Sequence, residues 1–183
     1  MPREGFSIDD LLHPKKREYA PETSPTHYAY RNANNARKIA REILKKLKVS
    51  SPPVDLQPVC TFMMANVVLI KSPDSQYLGR LINGRIEIVE GLPEVIFRST
   101  LAHELGHLVL SHDLRGRWDT LDSLNDPDPH EKEAWIFAGE LLLPDSLLRK
   151  EFKINPNFDR LAYIFNVTRS LLGVEITRRK GYL

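Results

Sequence analysis

The chain of 183 residues holds a single cysteine, Cys60, so a disulfide within the chain is excluded and an intracellular setting fits. It has no run of roughly 18 apolar residues, the length that a spanning helix needs. Its opening, MPREGFSIDDLLHP, lacks the apolar core of a signal peptide. Cytoplasm is therefore the expected location. A strong charge of either sign is also missing: 26 Lys and Arg stand against 24 Asp and Glu, a formal net charge of +2. Composition alone thus gives no argument for a nucleic acid or a membrane surface as partner. With 42% hydrophobic and 27% charged residues, the chain is an ordinary globular one rather than a disordered one. Its length suits one domain with a sizeable core, or one domain plus a small appendage.

The charge that is present is uneven. Arg31, Arg37, Lys38, Arg41, Lys45, Lys46 and Lys48 face one acid, Glu42, and the chain ends in Arg178-Arg179-Lys180 before its last residues. The simplest reading is a solvated helix face and a soluble tail.

Organisation follows from periodicity. Residues 1–30 carry scattered prolines and no clear period, which predicts an extension with little regular structure. Ala36, Ile39, Ala40, Ile43, Leu44 and Leu47 then recur at helical spacing, an amphipathic helix from Asn32 to Leu47. Val54 to Met64 reads as a short buried helix. Val67 to Lys71 is a β-branched run and reads as a strand. Asn83-Gly84, between TyrLeuGlyArgLeuIle and ArgIleGluIleVal, is a strong hairpin signal. The centre is expected to be a small antiparallel sheet, and the class α+β. From Glu94 to about Ser111 the apolar residues surround the helix axis, which predicts a buried central helix. Residues 112–129 read as a loop, and a further helix is expected from His130 to Leu143. Short helices follow. The division is thus an extension over 1–30, a main domain over 31–145 and a helical subdomain over 146–183.

The stretch LAHELGHLVLSHD, residues 101–113, carries the chemistry. His103 and His107 are one helical turn apart, separated by about 40° around the axis, so both imidazoles can reach one ion. Zinc accepts neutral histidine nitrogens, and its catalytic sites present three protein ligands and keep one position open. Glu104 points to the side of that open position and suits a general base. Two histidines and a glutamate on a buried helix would otherwise be costly. Gly106 fits the same reading, since a missing side chain lets another backbone approach.

The third ligand is less direct. His112 lies about 900° of turn beyond His103, on the opposite face if the helix continues. Asp113 sits near the third position of HExxHxxGxxH, but Leu110 occupies the place of the turning glycine. On the helix from His130, Glu131, Ala134 and Ala138 form one stripe that can pack against the first helix and deliver a carboxylate. Glu133 and Glu140 lie about 200° and about 180° from Glu131. Glu131 is the favoured ligand, with Glu133 or His130 next.

The paired segments ThrLeuAlaHisGluLeuGlyHisLeuValLeu, 100–110, and GluLysGluAlaTrpIlePheAlaGlyGluLeuLeuLeuPro, 131–144, resemble the ImmA/IrrE family of metallo-endopeptidases. That family's second motif looks like E-x-x-A-N-x-F-A-x-x-L-L-x-P. The resemblance extends over about 33–176. It implies a zincin-like domain, zinc as cofactor, His103, His107 and Glu131 as metal ligands, and Glu104 as the catalytic residue. It further implies a protein substrate, a separately encoded helix-turn-helix repressor of a phage, mobile-element or stress-response system. Trp135 departs from the usual Asn or Asp. A zinc-bound regulator without proteolysis is the alternative. So is a DNA-binding protein, because LeuAlaTyrIlePheAsnValThr, 161–168, resembles the start of a helix-turn-helix with Thr168 as a cap.

Overall fold

The computed structural model describes residues 25–112 and 116–179, with side chains from residue 34 onward. The expectation for 1–24 lies outside the described residues, as does that for Asp113. Seven helices and four strands are present among the described residues: α1 (Pro25–Lys46), α2 (Leu56–Phe62), β1 (Asn66–Ile70), β2 (Tyr77–Ile82), β3 (Arg85–Val89), α3 (Glu94–Leu110), β4 (Asp119–Thr120), α4 (Pro129–Leu142), α5 (Asp145–Ile154), α6 (Phe158–Phe165) and α7 (Arg169–Arg178). A 3₁₀ turn, Ser123–Asn125, lies between β4 and α4. The α+β class holds. Helix α1 starts at Pro25, inside the stretch whose composition reads as irregular.

The hairpin is where Asn-Gly puts it. Asn83 and Gly84 both take positive φ, 50° and 72°, the geometry that matches the twist of the flanking strands. Strands β2 and β3 pair antiparallel, Leu81 opposite Ile86. The sheet, however, is mixed rather than antiparallel. Its order is β1-β3-β2-β4, and β1 runs parallel to β3. The link after β1 skips one strand position, and β3 returns to fill it. Local turn chemistry specifies the hairpin but says nothing of which of its edges β1 joins.

Helix α3 packs against β2 and β3 and also against α4, while α1 packs on α4. A helix enclosed on these sides must be apolar around its circumference. Leu101, Ala102, Leu105 and Val109 are all buried. Pro93 precedes the first turn and Glu94 opens it, as a helix N-terminus favours.

Much of the charged helix face is solvated as read, with Lys38, Lys45, Lys46 and Lys48 exposed, but Arg37 and Arg179 depart from that reading. Arg179 is fully buried, its guanidinium 2.9 Å from Glu175 and 3.4 Å from Glu140, and it donates to the Leu143 carbonyl. Arg37 reaches both carboxylates, at 3.3 Å and 3.4 Å, and Arg41 joins Glu140 at 2.9 Å. Helices α1, α4 and α7 are thereby tied by one ionic network. Sequence periodicity cannot foresee it, since each partner lies far away along the chain. In the C-terminal helices, Thr168 caps α7 through the Leu171 N–H at 3.1 Å, and Leu161, Phe165, Leu171 and Leu172 enter the core.

Candidate metal centre

Two turns of α3 and the first turn of α4 build the centre, and one glycine, Gly106, lets them meet. A Cβ on Gly106 would stand 2.9 Å from the Ala134 carbonyl oxygen and 3.0 Å from its Cα, closer than real Cβ contacts come. Gly106→Ala is therefore expected to push the helices apart and to cost about 1–3 kcal/mol, read by urea denaturation. A change below about 0.5 kcal/mol would show that the helices can give way. Ala134 and Ala138 are fully buried, so the small-residue stripe faces α3 and carries Glu131 to the site. Asp128 caps this helix by accepting from the His130 N–H at 2.8 Å.

His103 Nε2, His107 Nε2 and Glu131 Oε2 converge. The separations are 2.9 Å between the histidine nitrogens, 3.0 Å from His103 to Glu131 and 3.6 Å from His107 to Glu131. Donors about 2.0–2.1 Å from a tetrahedral ion stand roughly 3.3 Å apart, so the set fits such a cation. All three residues are buried. Burial holds His107 down to about 3, with the neighbouring His103 and His112 adding to the effect. Burial alone would raise Glu131, but the two imidazoles beside it, His103 within hydrogen-bond distance and His107 close by, prevail and hold it well below the usual carboxylate range. At neutral pH both groups are thus in the form that binds a metal.

Glu104 is also buried. Desolvation raises its carboxyl well above the ordinary value, the nearby Asp119 and Glu131 push the same way, and a hydrogen bond from the Leu81 backbone opposes them. Its Oε2 has no hydrogen-bond partner among the described residues. The same is true of both Asp119 oxygens, although Asp119 is buried and lies 4.0 Å from His103 Nε2. Burial is likewise the main cause of the raised Asp119 pKa. Three buried carboxylates around one gap, several of their oxygens without partners, form an environment that a divalent cation would neutralise.

The sequence reading did not single out Asp119, which lies in the stretch read as a loop. It is held by β4, which pairs with Tyr77 and Gly79 of β2. A two-residue strand leaves too short a pattern to read. Stacking of Trp118 on Tyr77, with ring centroids 4.8 Å apart, and Arg80 over Trp118 at 4.2 Å secure it.

The other candidates fall outside the donor set. Glu133 turns to His112, 3.3 Å away, and His130 is half exposed. Glu140 belongs to the ionic network. Trp135 stacks on the His103 ring at 4.3 Å, so the departure from Asn or Asp supplies a packing surface. His112 does not point away. Helix α3 ends at Leu110, and Ser111 takes φ 56° and ψ 40°. The Ser111 N–H then donates to Leu108 O at 3.3 Å, and the His112 N–H to His107 O at 3.1 Å. This is the Schellman closure, which brings the residue after the left-handed one back over the helix. Serine is not the usual signal for it.

A comparison with protein families matches residues 64–177 to the M78 peptidase family, described as the IrrE N-terminal-like domain. The chain belongs to this metallopeptidase family. No curated protein matches it. The matched span runs from just after α2 through nearly all of α7, so it takes in the sheet, α3 with its two histidines, and α4. The M78 assignment therefore covers every residue of the candidate centre. It also meets the convergence of His103, His107 and Glu131 from a separate direction.

Proposed function

We propose that this M78 peptidase is a zinc-dependent endopeptidase. Its substrate is a partner protein, a separately encoded helix-turn-helix repressor of a phage, mobile-element or stress-response system. The convergence of His103, His107 and Glu131 beside the buried Glu104 carries this reading. Zinc, when bound by the two histidines and Glu131, supplies an electrophile that activates water near neutral pH and polarises the scissile carbonyl.

The remaining chemistry belongs to the chain. Glu104 takes a proton from the attacking water at Oε2, the oxygen without a partner, and later returns it to the leaving amine nitrogen. The Leu81 N–H holds the carboxylate in place.

Strand addition is available to an extended substrate, but on a narrower edge than the hairpin as a whole. Strand β3 lies between β1 and β2, and β4 already occupies β2 at Tyr77 and Gly79. The segment Arg80–Ile82, which holds the Leu81 that contacts Glu104, is the part of the hairpin edge beyond that pairing. A substrate strand there would place its carbonyl beside the centre.

The test is to incubate the zinc-loaded protein with the repressor encoded beside it and to follow both chains by mass spectrometry. Cleavage at a defined bond is expected. A chelator should stop it, and added zinc should restore it. An intact repressor in the presence of loaded enzyme would defeat the substrate assignment, and cleavage that survives complete metal removal would defeat the mechanism.

A further inference from the structure

One chain of buried polar groups ends on the metal centre without belonging to the donor set. Nε2 of His107 faces His103 and Glu131, so Nδ1 is the nitrogen left over. It lies 2.9 Å from Nδ1 of His112, whose Nε2 lies 3.3 Å from Glu133 Oε2. The side chains of His112 and Glu133 are only 5% and 8% exposed, which leaves little room for water to replace either contact.

A neutral imidazole has one N–H and one acceptor nitrogen. Glu133 can only accept when ionised, so the proton of His112 belongs on Nε2. That leaves Nδ1 of His112 as the acceptor. His107 must then donate from its own Nδ1, and its Nε2 presents a lone pair to the gap. With an ionised Glu133 and a neutral His112, the chain of contacts has one self-consistent proton pattern, and that pattern ends in a nitrogen ready for a cation.

We propose that His112 and Glu133 are positioning residues that lock His107 in its Nδ1–H tautomer and hold its ring for the metal. The proposal rests on the metal-centre reading. Outer groups of this kind fix the tautomer and raise the basicity of a ligating histidine. The Schellman closure at Ser111 supplies the backbone geometry, because it folds position 112 back onto position 107. Helix α4 supplies the far end, two residues beyond Glu131. His130 packs on the outer side of His112, ring centroids 4.6 Å apart.

The other histidine is held differently. His103 Nδ1 has no hydrogen-bond partner among the described residues, and its ring rests on Trp135. One ligand is oriented by hydrogen bonds and the other by packing.

Zinc affinity of the full chain, measured by competition with a chromophoric chelator, tests the proposal together with nitrogen NMR of the His107 imidazole in the metal-free protein. In the wild type the NMR signal should report a proton on Nδ1. His112→Phe keeps a ring of similar size and should weaken zinc binding about 10–100-fold, with His107 becoming a mixture of tautomers. Glu133→Leu should act in the same direction. The double variant should be no weaker than His112→Phe alone, since the relay is already broken. Glu133→Gln keeps an acceptor oxygen and should recover most of the affinity.

A folded His112→Phe protein with wild-type affinity and an unchanged His107 tautomer would overturn the proposal. If the variant fails to fold, the wild-type tautomer decides: a proton on Nε2 of His107 overturns it. If the wild type itself takes no zinc, the metal-centre reading fails. The tautomer still tells whether the relay exists.

Discussion

Glu104→Gln is expected to leave zinc bound and to reduce peptide cleavage by about 10²–10⁴-fold, the range that a positioned general acid-base group contributes. The amide keeps the shape of the side chain but cannot take the proton from the attacking water. None of the three converging donor atoms belongs to Glu104, so affinity should be nearly unchanged. Retained turnover at full zinc occupancy would sink the role assigned to this residue. A second readout comes from stability. The folded pKa of Glu104 lies above its ordinary 4.5, so the folded chain keeps this proton to higher pH than the unfolded chain does. Its contribution to stability is present in acid and is lost as the pH rises. Glutamine does not ionise. Metal-free Glu104→Gln protein should therefore be more stable than wild type above about pH 4.5, with the gap closing as the pH falls towards that value. Denaturant titrations at several pH values check this, and a gap that widens on acidification would contradict the assignment.

The largest effect on stability is expected from Arg179→Ala. Removing the guanidinium takes a fully buried cation from between Glu140 and Glu175 and strips the Leu143 carbonyl of its 2.8 Å donor. Breaking a buried ion pair from one side costs about 3–5 kcal/mol. The lower part of that range applies, because Arg37 still reaches both carboxylates and Arg178 still holds Glu175 at 2.8 Å. Arg179→Lys keeps the charge but loses the fork that spans several acceptors, and should fall between alanine and wild type. Guanidinium denaturation measures all three proteins. A loss below about 1 kcal/mol for alanine would mean that the network behaves as a surface pair. The effect matters for the centre as well, since α4 carries Glu131 at one end and Glu140 towards the other.

Much of the candidate site was legible from spacing. His103, Glu104 and His107 form one short local pattern on a helix whose apolar circumference announces burial, and helix geometry alone turns that spacing into a shared face. The stripe Glu131, Ala134 and Ala138 was legible for the same reason, and Gly106 marked a close backbone approach whose partner, Ala134, only the structure identifies. The loss came where the chain leaves regular geometry. Helix periodicity puts His112 on the far face only if the helix continues; it ends at Leu110, and Ser111 in the left-handed conformation reverses the direction. Asp119 lay in a strand too short to have a period.

By itself, then, the sequence determined what depends on near neighbours: the helices, the Asn-Gly hairpin, the paired histidines and the class of chemistry that they suit. Tertiary structure alone decided which edge of the hairpin β1 joins, which carboxylates surround the gap, where Arg179 is buried and what stands behind His107. The physical reason is the range of the interactions. Backbone propensity and side-chain period act over a few residues, and their record is local. Burial of charge and the relay through His112 join residues from separate elements, and they exist only once packing has brought those elements together.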